Sequence, residues 1–271
     1  MNTTIFTVAY DKDLEFLKYN LKSINKFCEG FYKNIVLLDN NNSERTADYL
    51  EKIGQPYFID DQASLVNKGY VRQQYIKLIA DRYMPENCDF ICHVDCDGIF
   101  INQQCASDYF KNGKPIISKN SYKNIYNILR RKREPKRAER DVAAFSVWQE
   151  TTSAFVGFDV EYEYMQLNPF IYPIGVQTRV REYLEKIHSK PLIDIIKNQD
   201  ILSEYNIIGA YCEKFEKEKF HWVDREDQEG FSELVKKRRS LFGQYSNREL
   251  DQPDRYVDLS KKNNIISNLF D

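Results

Sequence analysis

Residues 90–100 read FICHVDCDGIF. An apolar run ends in Asp95-Cys96-Asp97 and is followed by Gly98. Side chains alternate along a strand, so His93, Asp95 and Asp97 are expected on one face. Cys92, Val94 and Cys96 are expected on the other. Two carboxylates at the carboxyl end of a parallel strand lie where open α/β sheets bind ligands. Hard divalent cations prefer oxygen ligands, which makes Asp95 and Asp97 candidate holders of Mg²⁺ or Mn²⁺. A metal held there would bridge the phosphates of a nucleotide and offset the charge of a departing diphosphate. A bare Asp-x-Asp also caps strands and turns, so its meaning rests on the elements around it.

Those elements alternate. Residues 4–10 (TIFTVAY) read as a strand. Residues 13–27 carry Leu14, Leu17, Leu21 and Ile24 at helical spacing, with Asp11 or Asp13 as N-cap. Residues 34–39 (NIVLLD) are apolar almost throughout, as strands buried on both faces are. A helix over 44–53 ends at Gly54. A short strand follows at 57–60, a helix at 70–83 closed by Pro85, and a fourth strand at 89–97. This order implies parallel strands covered by helices, the α/β class. Beyond it, strands are expected at 115–118 and 220–223, and helices near 142–151, 176–188 and 201–215. Residues 224–271 read as a helical wrap or a loose arm. No repeat and no linker-like stretch divides the chain, so one domain is expected.

Composition narrows the partners. The 271 residues hold 39 Lys+Arg against 41 Asp+Glu, a formal net charge of −2. That balance does not suit a protein gripping nucleic acid by charge alone, so no nucleic-acid partner is expected. Apolar residues make up 42% and charged residues 30%, which excludes global disorder. No apolar run is long enough for a transmembrane helix. The N-terminus lacks the basic and apolar regions of a signal peptide. Six scattered cysteines then read as reduced thiols, and a cytoplasmic, intracellular protein is expected.

The ordered set resembles the nucleotide-sugar-dependent glycosyltransferases of the GT-A fold, a Rossmann-like, mostly parallel sheet flanked by helices. Their hallmark is this Asp-x-Asp after the fourth strand. The resemblance spans residues 4 to about 100. It includes TVAYDKD after the first strand, Asp39 at the end of the second, and the helix GYVRQQYIKL. That helix and Ser203-Glu204-Tyr205-Asn206 are similar to segments of a less studied branch. The resemblance implies a nucleotide-sugar-binding half over 1–102, an acceptor-side half over 103–223 and a tail over 224–271.

It also implies roles. Thr7, Ala9, Tyr10 and Asp11 follow the first strand, where these enzymes seat the nucleoside. Asp39 approaches ribose or base. Arg72, Gln73 and Lys77 lie on a helix facing the donor, where a cation pairs with phosphate. Asp95 reaches ribose or metal, Asp97 is the direct metal ligand, and His221 is a further ligand or a structural His beside Trp222. The cofactors implied are Mn²⁺ or Mg²⁺ with a nucleoside-diphosphate sugar, and the partner is a glycan or glycoconjugate acceptor. An inverting enzyme needs a carboxylate to deprotonate the acceptor hydroxyl. Glu204 is the first candidate, with Asp159 and Glu161 in reserve. Glu204 otherwise completes a helix cap with Ser203. Tyr162, Tyr164, Tyr172, Trp148 and Trp222 offer sugar-stacking faces or core packing.

Other readings account for less. VDCDGI resembles the first motif of haloacid-dehalogenase-type phosphatases, with Asp95 as nucleophile, Asp97 as acid/base, and Ser118 and Lys119 in later slots. That motif normally opens the chain, and no strand ending in paired acids follows here. A catalytically silent nucleotide-binding relative is a third class. Cys88, Cys92 and Cys96 lack the paired spacing of zinc sites and read as buried thiols. Residues 130–140, Arg130 to Arg140, hold seven basic and two acidic residues. They read as a solvated face with peripheral membrane contact as the alternative.

Overall fold

The computed structural model describes residues 1–39 and 43–244. The first half alternates as its periodicity demands. The order is β1 (Thr3–Ala9), α1 (Leu14–Phe27), the short β2 (Cys28–Glu29), β3 (Lys33–Asp39), α2 (Glu44–Ile53), β4 (Tyr57–Asp60), α3 (Gly69–Leu78) and β5 (Phe90–His93). α2 ends where Gly54 takes φ 68°, a left-handed conformation open to a residue without a Cβ.

β1 pairs in parallel with both β3 and β5, and β3 pairs in parallel with β4. The strand alternation sorts the core into two faces. Phe6, Val8, Ile35 and Leu37 pack with α3 residues such as Val71 and Tyr75. Ala9, Val36 and Leu38 pack with Leu17 and Leu21 of α1 and Leu50 of α2. Both faces are dry, which is why these strands read as continuous apolar runs. Each buried Leu contributes roughly 1.5–3 kcal/mol.

The second half opens with β6 (Gly98–Phe100), β7 (Gln104–Cys105), β8 (Phe110–Lys111) and β9 (Lys114–Ser121). α4 (Tyr122–Lys132) and α5 (Pro135–Val156) follow, then β10 (Tyr162–Glu163) and β11 (Phe170–Pro173). The rest is α6 (Val176–His188), α7 (Leu192–Ile196), α8 (Glu204–Phe215), β12 (His221–Asp224), α9 (Gln228–Leu241) and β13 (Phe242–Gln244).

β11 is unanticipated. It lies antiparallel on β5 and extends the main sheet to the order β11-β5-β1-β3-β4. β10, β9 and β12 form a second sheet, with β8 on β9. One apolar cluster runs from Phe6 to Phe220 and joins both halves of the chain. The fold is α/β, with a mostly parallel open sheet between helices.

Two expectations change. The strand drawn over 89–97 stops at His93, because Gly98 N–H donates to Asp95 O at 2.8 Å and closes a turn. The face shared by His93, Asp95 and Asp97 is therefore broken. The basic run is not one segment: it ends α4 and begins α5, with Pro135 at the first helical position. The expected wrap after residue 223 is partly present as α9 and β13. β13 runs antiparallel to β6 and sets Gln244 beside Gly98. Residues 245–271 lie outside the described residues.

Candidate functional site

Three parallel strands end together. β1 runs out at Tyr10, β3 at Asp39, and β5 leads into the Asp95–Gly98 turn. α3 reaches two of these ends with cations. Arg72 Nη1 donates to Asp39 Oδ2 at 2.6 Å, while its Nε and Nη2 donate to Val66 O. Lys77 Nζ meets Asp95 Oδ1 at 2.6 Å and Glu204 Oε1 at 2.9 Å. It also lies 4.6 Å from the Tyr205 ring centroid.

The Lys77 side chain is 5% exposed and that of Glu204 1%, against 19% for Asp95. Burial alone would lower the Lys77 ammonium, but the carboxylates of Asp95 and Glu204 outweigh it and hold it well above its ordinary value. Burial raises the Glu204 carboxyl, and Lys77 opposes that rise. With its amide nitrogen turned toward Glu204, Gln74 donates to both oxygens, at 3.1 Å to Oε1. Two carboxylates thus share one ammonium. One net negative charge remains, and its accessible end is Asp95.

The turn is braced from behind. Asn20 Nδ2 of α1 donates to Gly98 O at 2.6 Å, and Ser23 Oγ accepts from Phe100 N at 3.1 Å. A Cβ built on Gly98 would lie 2.3 Å from Phe242 Cζ and 2.9 Å from Asp95 O, so only glycine fits beneath β13. Burial raises the Asp13 carboxyl beside the turn, against a hydrogen bond with the Cys96 thiol.

The donor set decides what metal would fit. Among the described residues no group of three or more His, Cys, Asp and Glu could hold an ion. Mg²⁺-like ions are commonly held by one or two carboxylates with the remaining ligands from phosphates and water. Asp95 and Asp97 supply the number of carboxylates that mode uses and do not make a closed protein cage.

Other expected residues have different occupations. Thr7 and Ala9 are fully buried within β1. Asp11 caps α2: Oδ1 accepts from Thr46 N and Thr46 Oγ1, both at 2.9 Å. Tyr10 and Gln73 are half-buried at the strand end and on α3. Arg72 and Lys77, expected to face phosphate, are each paired with protein carboxylates. Glu204 sits under Lys77 and Gln74 in the first turn of α8, behind the Ser203 cap. Its oxygens meet Lys77 and Gln74, and it is buried rather than open to an acceptor as expected.

Asp159 and Glu161 are exposed and make no side-chain hydrogen bond or ion pair with the Asp95 cluster. His221 is not brought to Asp97. It lines a groove of about 390 Å³ with Phe110, Trp222 and Lys237, and burial lowers its imidazole together with Lys111 and Lys114. Ser118 and Lys119 lie on β9 of the second sheet, where Lys119 Nζ meets Glu213 at 2.5 Å. Cys88, Cys92 and Cys96 are buried free thiols.

Residues outside the expected set complete the cluster. His93 is buried with Nε2 2.9 Å from Gln177 Nε2, and burial with nearby Lys77 pushes its imidazole down to about 3, so it is neutral. Tyr70 stands one and two turns before Gln74 and Lys77 on α3. Burial and then Glu204 raise its phenol. Its half-exposed ring meets Trp148 edge-on at 6.2 Å. The i, i+4, i+7 spacing of Tyr70, Gln74 and Lys77 was the signal for this face. No protein-family model matches the chain, and no curated protein matches it.

Proposed function

We propose that the chain is a metal-dependent glycosyltransferase of the GT-A type. It takes a nucleoside-diphosphate sugar at the Asp95–Asp97 turn and transfers the sugar to a hydroxyl of a glycan or glycoconjugate. The supporting observation is that turn: a carboxylate pair at the carboxyl end of β5, with Asp95 oriented by the buried Lys77–Glu204 pair. Parallel order β4-β3-β1-β5 puts the turn beside the ends of β1 and β3, where α/β sheets bind ligands.

Asp97 and Asp95 would hold Mn²⁺ or Mg²⁺ together with the diphosphate oxygens. The ion would neutralise charge on the leaving diphosphate. Lys77 fixes one Asp95 oxygen, which leaves the carboxylate a single orientation toward the ligand. Glu204 and Gln74 hold Lys77 in place. Tyr70 and Trp148 offer adjacent aromatic surface for a sugar or base. Acceptor deprotonation is not assigned to Glu204, whose oxygens are taken.

The test is release of nucleoside diphosphate from a panel of nucleotide sugars with Mn²⁺. Asp97→Ala is expected to lower the metal-dependent rate roughly a hundredfold or more, with the chain still folded by circular dichroism. Full activity in Asp97→Ala would sink the assignment.

A further inference from the structure

α4 and α9 face each other across a groove of about 1140 Å³. Its walls carry Lys123, Arg131 and Lys132 from α4, Arg225, and Lys236 and Arg239 from α9. Among the described residues none of the six makes an ion pair with a carboxylate. Glu226 is the one acid on the walls, and Ser121 Oγ donates to it at 2.5 Å. Arg225 bonds the Gln166 amide at 3.2 Å and lies 5.3 Å from the Phe231 ring.

Helix formation does not account for this. Cations in the last turns of α4 and α9 complement their dipoles. Lys123 does not: it stands in the first turn of α4, where a cation is unfavourable. Six cations gathered across a groove with a single acid on its walls call for an anionic ligand.

Two further observations define that ligand. Half-buried Ile128, Phe231 and Val235 line the same groove, so it offers apolar surface alongside charge. The basic field also continues to the α4–α5 tip, where Arg133, Arg137 and Arg140 share Asp141 at 3.5–4.0 Å. A free phosphate needs neither the apolar strip nor the extended field. An anionic phospholipid surface uses both.

We propose that the α4–α9 groove and the adjoining hairpin tip form a docking face for anionic membrane surfaces, with a phospholipid headgroup seated between Arg131 and Arg239. The face is built from residues other than the Asp95 cluster, and the proposal does not depend on glycosyl transfer.

The test is co-sedimentation of the full chain with vesicles of phosphatidylcholine alone and of phosphatidylcholine with about 30 mol% phosphatidylserine. Binding is expected only to the anionic vesicles. It should collapse between about 0.1 M and about 1 M salt, as the screening length falls from about 10 Å to about 3 Å. Arg131→Glu with Arg239→Glu should weaken it roughly five-fold per unit of charge changed. If that variant fails to fold, Lys123→Gln with Lys236→Gln tests the same walls at exposed sites. Equal binding to neutral vesicles would overturn the proposal, as would anionic binding indifferent to these substitutions. Binding of soluble tripolyphosphate without vesicle binding would overturn it too, by replacing lipid with a free anion.

Discussion

Lys77 serves two carboxylates from a position with almost no contact with water. Removing one partner of a buried ion pair strands the others, at a cost of about 3–5 kcal/mol. Lys77→Ala is expected to destabilise the chain by that order in urea unfolding, since it leaves Asp95 and Glu204 without their shared cation. Adding Glu204→Gln to Lys77→Ala should recover part of the loss; simple additivity of the two changes would contradict the shared-cation account. Glu163 presents the opposite case. Burial pushes its carboxyl up to about 7, although Met165 N donates to it at 2.9 Å. Between its ordinary value of 4.5 and about 7 the folded chain keeps a proton that the unfolded chain has released. The stability from that proton is full below the window and is lost as pH rises through it. Glu163→Gln should therefore flatten the decline, gaining up to about 3 kcal/mol over the wild type near neutral pH. An equal pH slope in both proteins would show that Glu163 is not the group responsible.

At the scale of elements, the site depends on α3 and on the turn that replaces the end of the expected fourth strand. Gly98→Ala should force β13 away from β6, because the added methyl meets the Phe242 ring and Asp95 O. Overpacking of this kind costs about 1–3 kcal/mol. The checks are a urea midpoint and faster exchange at the Ile101 amide, which donates to Leu241 O at 2.9 Å. Protection unchanged from wild type would remove β13 from the support of the turn. Helices α1, α2 and α6 were legible because Leu14, Leu17 and Leu21, and their equivalents, recur every three or four residues. Strands β1 and β3 were legible because both faces are buried. The end of β5 was not: the Asp95–Gly98 hydrogen bond leaves no mark on alternation. Nor was β11, whose FIYP is short, ends in Pro and pairs antiparallel with β5. Asp95 and Lys77 were legible as charged residues near the strand ends, but not as partners. Pairing Lys77 with Glu204, or Arg72 with Asp39, needs contacts between segments far apart in the chain. The partners of Arg72, Lys77 and Asp11 were hidden for this reason. Each was read from local motif position, while its side chain is bonded to a residue distant in sequence.

Across the whole molecule, a net charge of −2 conceals a division. Carboxylates collect at the strand ends, and cations without an ion pair among the described residues collect between α4 and α9. Among the described residues no helix is long and apolar enough to cross a membrane. The main sheet converges on the Asp95–Asp97 turn, with one carboxylate held by Lys77 and turned toward solvent. We propose that this turn receives a nucleoside diphosphate together with a divalent cation. Thermal melting against a panel of nucleoside diphosphates, with and without Mn²⁺, tests it most directly. A ligand at about 100 times its dissociation constant adds about 2.7 kcal/mol, a shift of several degrees for a chain of this size. Such a shift is expected for at least one nucleoside diphosphate, present only with Mn²⁺ and absent in Asp97→Ala. No shift with any of them, or one indifferent to both Mn²⁺ and Asp97, would contradict it.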